Sequence, residues 1–298
     1  MDLILQDINK SFGDKHVLKD VSFGIKRGEA LGYLGRNGAG KTTTIRILTD
    51  IFRADSGEIK LDGQPINFDS IRMGYLPEER GLYPKAKVSE QMIYIGELRG
   101  MTRNDAKKSA QALLVELEAD EYWNKKLETL SKGNQQKIQL AIAVLHDPDI
   151  VILDEPFSGL DPVNASMLKR LIVREVERGK IVLFSSHQMP YVEEFCEHIA
   201  IINQGEIVLD GKIRDIKRGY PRNRIAIYPE GDLGAYASKL QEQGYAVTRH
   251  DEHIEIVLQN IADRAALFGC ISQIPIDVSK VEVIEPTLEE IFVEKAGA

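Results

Sequence analysis

Gly35-Arg36-Asn37-Gly38-Ala39-Gly40-Lys41-Thr42 restricts this 298-residue chain more than any other stretch. It matches G-x-x-x-x-G-K-[ST], follows the apolar run ALGYL and precedes a segment with helical character that begins near Lys41. That order demands a strand, a tight loop and a helix. Glycines let backbone N–H groups turn inward around a β-phosphate, Lys41 neutralises β- and γ-oxygens, and the Thr42 hydroxyl offers a ligand to Mg²⁺. The helix adds its N-terminal dipole. A chance glycine-rich turn is the competing reading, and the flanking strand and helix argue against it. The contacts expected for a nucleotide are Gly35, Asn37, Gly38, Ala39, Gly40, Lys41, Thr42 and Thr43. Taken alone, the loop indicates only some nucleoside triphosphatase.

Further along, Ile150-Val151-Ile152-Leu153-Asp154-Glu155 is an apolar run ending in two carboxylates. It reads as a strand buried on both faces, as does Ile181 to Phe184, and both belong in a parallel sheet. Asp154 is placed at the strand end toward Mg²⁺, and Glu155 is the candidate that orients or deprotonates an attacking water. Strand signals also occur in LILQDI and VSFGI, at Glu58 to Leu61 before an Asp62-Gly63 turn, and at Met73 to Leu76. Between Val88 and Leu117 the period becomes helical, with Thr102 as an N-cap. The expected class is α/β.

The run Leu130-Ser131-Lys132-Gly133-Asn134-Gln135-Gln136-Lys137 resembles the signature motif of ATP-binding cassette (ABC) proteins, with Lys132 and Asn134 departing from Leu-Ser-Gly-Gly-Gln. Ser158-Gly159-Leu160-Asp161-Pro162 looks like that family's D-loop, and His187, after IVLFSS, resembles its switch histidine. Phe12, 29 positions before Lys41, looks like the aromatic that stacks on adenine, although a core Phe fits the spacing almost as well. Where the family carries a Mg²⁺-binding Gln, this chain has Gly74-Tyr75-Leu76-Pro77-Glu78-Glu79-Arg80-Gly81, so the metal role passes to Glu78. The resemblance implies ATP and Mg²⁺ as cofactors, with Thr42, Glu78 and Asp154 on the metal. Glu155 and His187 are the catalytic pair, and Asp161 is a further nucleotide-side residue. It also implies two cassettes packed head to tail, a homodimer by default, in which Ser131 and Gly133 of one complete the site of the other. GYLPEERGLYP, LSKGNQQK and EPTLEEIFVEKAG are similar to bacterial exporter cassettes of the sodium-extrusion and drug or peptide resistance group.

The implied architecture is a P-loop cassette over residues 1–219, with an antiparallel β subdomain and a helical insertion at about 82–146. Residues 220–298 read as β-α-β-β-α-β with a closing helix, a small ferredoxin-like α+β domain. That extension is either a structural or dimer-supporting appendage or a regulatory, cation-sensing one. It holds 7 Lys plus Arg against 13 Asp plus Glu in a chain of net charge −8, a balance unsuited to a phosphate backbone. Nucleic acid is therefore not expected as a partner. The longest uncharged apolar run, Ile138 to Leu145, falls far short of the ~20 residues that cross a bilayer. The N-terminus lacks the features of a secretory signal, and Cys196 and Cys270 fit neither a metal knuckle nor a redox pair, so both are expected as buried thiols in a reducing cytoplasm. The reading is an ATPase subunit on the inner face of the cell membrane, serving an integral-membrane permease on a separate chain and exporting sodium, a drug or a peptide. A soluble cassette acting on ribosomes or nucleic acid is the alternative; such proteins carry two cassettes or a long coiled coil, and only 89 positions, without sustained heptads, separate Lys41 from Leu130.

Overall fold

Apolar side chains alternate along the first two strands, Asp2–Phe12 and Lys15–Lys26, which pair antiparallel and bury Leu3, Leu5, Val21, Phe23 and Ile25 on one face. These strands run twice as long as the short runs expected from the sequence. Left-handed Asp7 and Asp20 and shifts of register bend them without ending them. Ser56–Leu61 and Gln64–Pro65 extend this sheet through a turn at Asp62 and Gly63, both at positive φ as a type I′ turn requires. The computed structural model describes residues 2–79 and 81–297; Arg80 of the GYLPEERGLYP stretch lies outside them.

The second sheet has the order Glu206–Lys212, His198–Asn203, Ala30–Leu34, Ile181–Ser185, Ile150–Asp154, Met73–Leu76. All its pairs are parallel except the outermost pair, Glu206–Lys212 with His198–Asn203. Every residue of Ala30–Leu34, Ile150–Asp154 and Ile181–Ser185 is buried, which is why these runs are apolar without alternation. One core joins the two sheets through Phe23, stacked on Tyr33, and through Ile45, Ile152 and Leu183. Helices Val88–Leu98, Arg103–Glu116 and Lys132–Val144 form the insertion, and the Thr102 hydroxyl caps the second by accepting from the Asp105 N–H.

The C-terminal strands Arg224–Pro229, Val247–Arg249, Ile254–Val257 and Val278–Ile284 form a separate antiparallel sheet. Its spatial order is second, third, first, fourth. Helices Leu233–Glu242 and Arg264–Gln273 contribute Tyr236, Leu240, Leu267 and Ile271 to a core of its own. The chain divides into two units, one of Met1–Ile213 with Phe292–Ala298 and one of Arg214–Ile291. The division falls six residues earlier than the boundary after Gly219 read from the sequence, because the second unit takes in the helix Ile213–Arg218 from Arg214 onward, and the last turns of the chain group with the first. Cys196 is buried as expected; Cys270 is only half-buried.

Gly74 sits where the edge strand Met73–Leu76 meets the helix Lys132–Val144. A Cβ there would approach the Ala143 carbonyl oxygen to 2.2 Å. Gly74→Ala should therefore destabilise the chain by about 1–3 kcal/mol through overpacking, read as a lower midpoint in urea; an unchanged midpoint contradicts this close contact.

Candidate functional site

The nucleotide loop starts at the end of Ala30–Leu34, and its first glycine lies against the neighbouring strand. A Cβ on Gly35 would come within 2.6 Å of the Ile202 carbonyl oxygen, so no larger residue allows this approach. Gly40 caps the helix Lys41–Leu48 at φ 120°, a conformation closed to L side chains, and no side chain caps the helix. The first N–H groups of that helix are thereby left to face the loop's concave side. Thr44 anchors the helix from behind, its hydroxyl donating to the Gly40 carbonyl at 3.1 Å and sharing a hydrogen bond with the buried Tyr33 hydroxyl at 3.0 Å. Burial of that hydroxyl pushes the Tyr33 pKa far up.

Lys41 is buried and folds back over the loop, donating to the Gly35 carbonyl and, at 3.3 Å, to that of Arg36. Burial lowers its pKa, while Glu155, Asp154 and Glu78 act against that shift. Across from it, Asp154 ends its strand in register with Ser185, whose hydroxyl donates to Asp154 Oδ1. Desolvation raises the Asp154 pKa; Glu78 and Glu155 push it further up, and Ser185 and Lys41 pull it down. This is a carboxylate held beside like charges, the situation a cation relieves.

Glu155 departs from the strand at φ 51° and is buried, its N–H donating to the Ser185 carbonyl at 3.1 Å. Left-handed backbone costs a residue of this kind about 1 kcal/mol or more, and it turns the carboxylate out of the sheet toward the loop. His187 Nδ1 lies 2.9 Å from Glu155 Oε2, and Ser186 donates to the same oxygen at 3.4 Å. Behind this turn, Phe157 stacks on Tyr191 and Phe195 at ring separations of 4.4 and 5.3 Å, a rigid backing for the Glu155 segment.

These groups converge on one cleft of about 880 Å³. Of the residues singled out in the sequence, it is lined by Phe12, Gly35, Asn37, Gly38, Gly40, Lys41, Thr42, Thr43, Glu78, Asp154, Glu155 and His187. Phe12 is largely exposed and packs edge-on against Phe52, so it is a rim residue rather than a core one. Ala39 does not line the cleft: its side chain is buried, and its carbonyl accepts from the Gly205 N–H at 2.9 Å. Ser131, Gly133 and Asp161 do not line it either. Ser131 caps the helix Lys132–Val144, accepting from the Asn134 N–H, and Gly133 is pressed on Asn164, where a Cβ would meet the side-chain amide at 2.8 Å. Asp161 caps the helix Pro162–Glu177 by accepting from the N–H groups of Val163 and Asn164, both at 3.0 Å, and its bonds with Asn164 and Val163 hold its carboxyl below the usual range. Asn134, a departure in the signature, donates to the Tyr122 hydroxyl at 2.8 Å and so ties its helix to the turn Asp120–Tyr122. Lys15, Val17, Arg36 and Phe292 line the cleft without having been named as site residues. Ser185 was likewise missed, although its place at the end of a buried run parallel to Ile150–Asp154 was a usable signal.

The raised Asp154 pKa has a stability consequence with a definite sign. In this window the folded state binds more protons than the unfolded one, so the ionised group costs stability above its folded pKa and costs nothing below the ordinary carboxylate value. In a chelating buffer, Asp154→Asn, which keeps an acceptor for Ser185, should raise the thermal midpoint at pH 7 to 8, and the gain should fade as pH falls below about 4. A midpoint lowered equally at all pH values contradicts the electrostatic account.

The ABC transporter family pattern matches residues 18–158, and the C-terminal domain pattern of DrrA1-3-like ATP-binding proteins matches residues 211–296. The ABC transporter ATP-binding protein YhaQ of Bacillus subtilis is 40% identical over 297 residues, covering 99% of both chains. The linearmycin resistance ATP-binding protein LnrL of the same organism is 30% identical, covering 98% of this chain and 97% of its own. Among solved structures, the dimeric bacterial ABC transporter cassette MJ0796 superposes with a TM-score of 0.64 at 25% identity, over 71% of this chain and 99% of that one. With full-length relatives of this kind, and with the Gly35–Thr42 loop, Asp154, Glu155 and His187 gathered in one cleft, the chain belongs to the ABC transporter ATP-binding proteins, the ATP-hydrolysing subunits of membrane transporters.

Proposed function

We propose that this subunit works as one of two identical cassettes packed head to tail, each supplying half of both ATP sites. The observation that carries this reading is the separation within one chain: Lys41, Asp154, Glu155 and His187 share a cleft that Ser131 and Gly133 do not line. Ser131 is exposed at the start of its helix, with Gly133 buried against Asn164 beside it, and a helix start so placed meets phosphate across an interface.

Within the site, Phe12 stacks on adenine at the rim and the loop Gly35–Thr42 cradles phosphates through backbone N–H groups, with Thr43 alongside. Lys41 leaves its loop carbonyls for β- and γ-oxygens. Glu155, aimed by its left-handed backbone and held by His187, takes the proton of the attacking water, while His187 steadies the γ-phosphate. Thr42, Asp154 and Glu78 fit Mg²⁺: one hydroxyl and two carboxylates line the same cleft, and Asp154 is strained by like charge. When bound, Mg²⁺ neutralises phosphate charge and orients the leaving group. Asp161 sits at the start of its helix as a residue for the cassette interface and transmits occupancy across it.

No helix among the described residues is long and apolar enough to cross a membrane. Passage of the cargo is the work of an integral-membrane permease that this cassette serves. The loop that carries Glu78 and the helical insertion is the surface that receives it, at the cytoplasmic face of the membrane. The resistance name borne by LnrL supports export of a drug or peptide; sodium export is the other cargo compatible with the resemblance. Both relatives bear transporter or resistance names, and the reading on ribosomes or nucleic acid is set aside.

Glu155→Gln should preserve ATP binding, reduce turnover by about 10²-fold or more and trap a dimer on size exclusion in the presence of ATP. Turnover within a factor of two of the parent removes Glu155 from the role of base. Purification of the tagged chain from its native membranes should bring down an integral-membrane protein in stoichiometric amount; recovery of the chain alone contradicts the transport assignment.

A further inference from the structure

In the C-terminal unit, the strands Val247–Arg249 and Ile254–Val257 pair antiparallel, with Thr248 opposite Glu255 and Arg249 opposite Ile254. The next pair outward is His250 and His253, joined by the His250 N–H donating to the His253 carbonyl at 2.9 Å. Side chains alternate between the two faces, so Val247, Ile254 and Ile256 point into the core while His250, His253 and Glu255 share the other face. The hairpin brings them together: the imidazoles stack at 4.4 Å with an 11° tilt, and one donor atom from each of the three residues lies within 4.8 Å of the others. We propose that His250, His253 and Glu255 form a binding site for a divalent transition metal, with Zn²⁺ as its simplest occupant.

Three features argue for a site rather than a chance cluster. Glu255 is buried and already oriented, because Arg224 donates from Nε to its Oε1 at 2.6 Å and, more weakly, from Nη2 to its Oε2 at 3.4 Å, while Oε2 also lies 3.1 Å from His250 Nε2. Arg224 is in turn held by Glu290 Oε1 at 2.8 Å, so its charge is shared between two carboxylates. Such an outer partner fixes a metal-binding carboxylate's direction, as it does in known metal centres. Secondly, no hydrogen bond engages a ring nitrogen of His253 among the described residues; its ring is placed by Tyr228 at 5.1 Å, whose hydroxyl donates to Glu282. Thirdly, the closure needed is small. Tetrahedral zinc with bonds of ~2.0–2.1 Å separates its donors by about 3.3 Å, so a rotation of the exposed His250 side chain brings the set into range, with water completing the shell.

The donor set also selects the ion. Two imidazole nitrogens and one carboxylate oxygen suit zinc, nickel or copper, whereas magnesium, calcium and sodium need oxygen shells that this hairpin lacks. The site is built wholly within the Arg214–Ile291 unit and uses none of the groups that bind ATP.

The test is Zn²⁺ competition between the full-length chain and a chromophoric chelator of micromolar affinity, in saturating Mg²⁺ so that the ATP cleft is occupied by the harder ion. The parent should take one Zn²⁺ per chain; His253→Gln should weaken it by about 10-fold or more, and the His250→Gln/His253→Gln pair should abolish it while ATP binding and turnover remain as in the parent. Cobalt substitution of the parent gives a readout that needs no variant, since the visible bands of a four-coordinate, nitrogen-bearing site appear only if the imidazoles ligate. Failure of the parent to compete for Zn²⁺, unchanged affinity in the double variant, or a cobalt spectrum of the hexa-aqua type each overturns the proposal.

Discussion

Crowding of carboxylates at the ends of two parallel strands is the constraint around which the cassette is organised. Asp154 and Glu155 follow each other at the edge of a fully buried strand, Glu78 lines the same cleft from the next strand's loop, and Lys41 is the buried cation facing them. Desolvation penalises the Asp154 charge in this place, and Glu78 and Glu155 add to the penalty. The fold tolerates this because Ser185 and Ser186 hydroxyls and the Ser185 carbonyl fix the two residues in place. A cation placed there would relieve the charge, so stability and function pull in opposite directions at these positions.

The surrounding geometry serves that arrangement. Gly35 lets the loop lie on the neighbouring strand, Gly40 opens the helix N-terminus toward the cleft, and left-handed Glu155 lifts its carboxylate out of the sheet. Each of these is a local conformation that a generic residue or backbone would refuse, and the apolar parallel sheet over-determines all three. By contrast, Ser131, Gly133 and Asp161 are spent on helix starts outside the cleft.

Residue type and spacing made much of this legible. Glycine, lysine and threonine spaced around a strand-to-helix turn leave few alternatives, and the runs Ile150–Asp154 and Ile181–Ser185 announce burial by their lack of alternation. The β-α-β-β-α-β order of the second unit was readable because its turns and amphipathic helices are regular. Features that depend on register or backbone angle were not. Ser185 matters because it lies opposite Asp154, and no single run contains both. Asn134 looked like a weakened signature, yet its amide ties down the turn at Tyr122. Ala39 carries the motif's spacing but turns its side chain inward. His250, His253 and Glu255 become a cluster only once the hairpin is closed.

The central claim is that the ATP site is divided between two copies, and mixing two inactive variants tests it. Lys41→Ala removes the phosphate-binding half of a site, and Ser131→Arg removes the half supplied across the interface. Each alone should be inactive, but an equal mixture forms hybrid dimers in which one site inherits both intact halves. With random exchange, half the dimers are hybrids with one working site of two, and steady-state ATP turnover should recover to about a quarter of the parent's. Parent-like turnover by Ser131→Arg alone, or no recovery on mixing, would contradict the divided site.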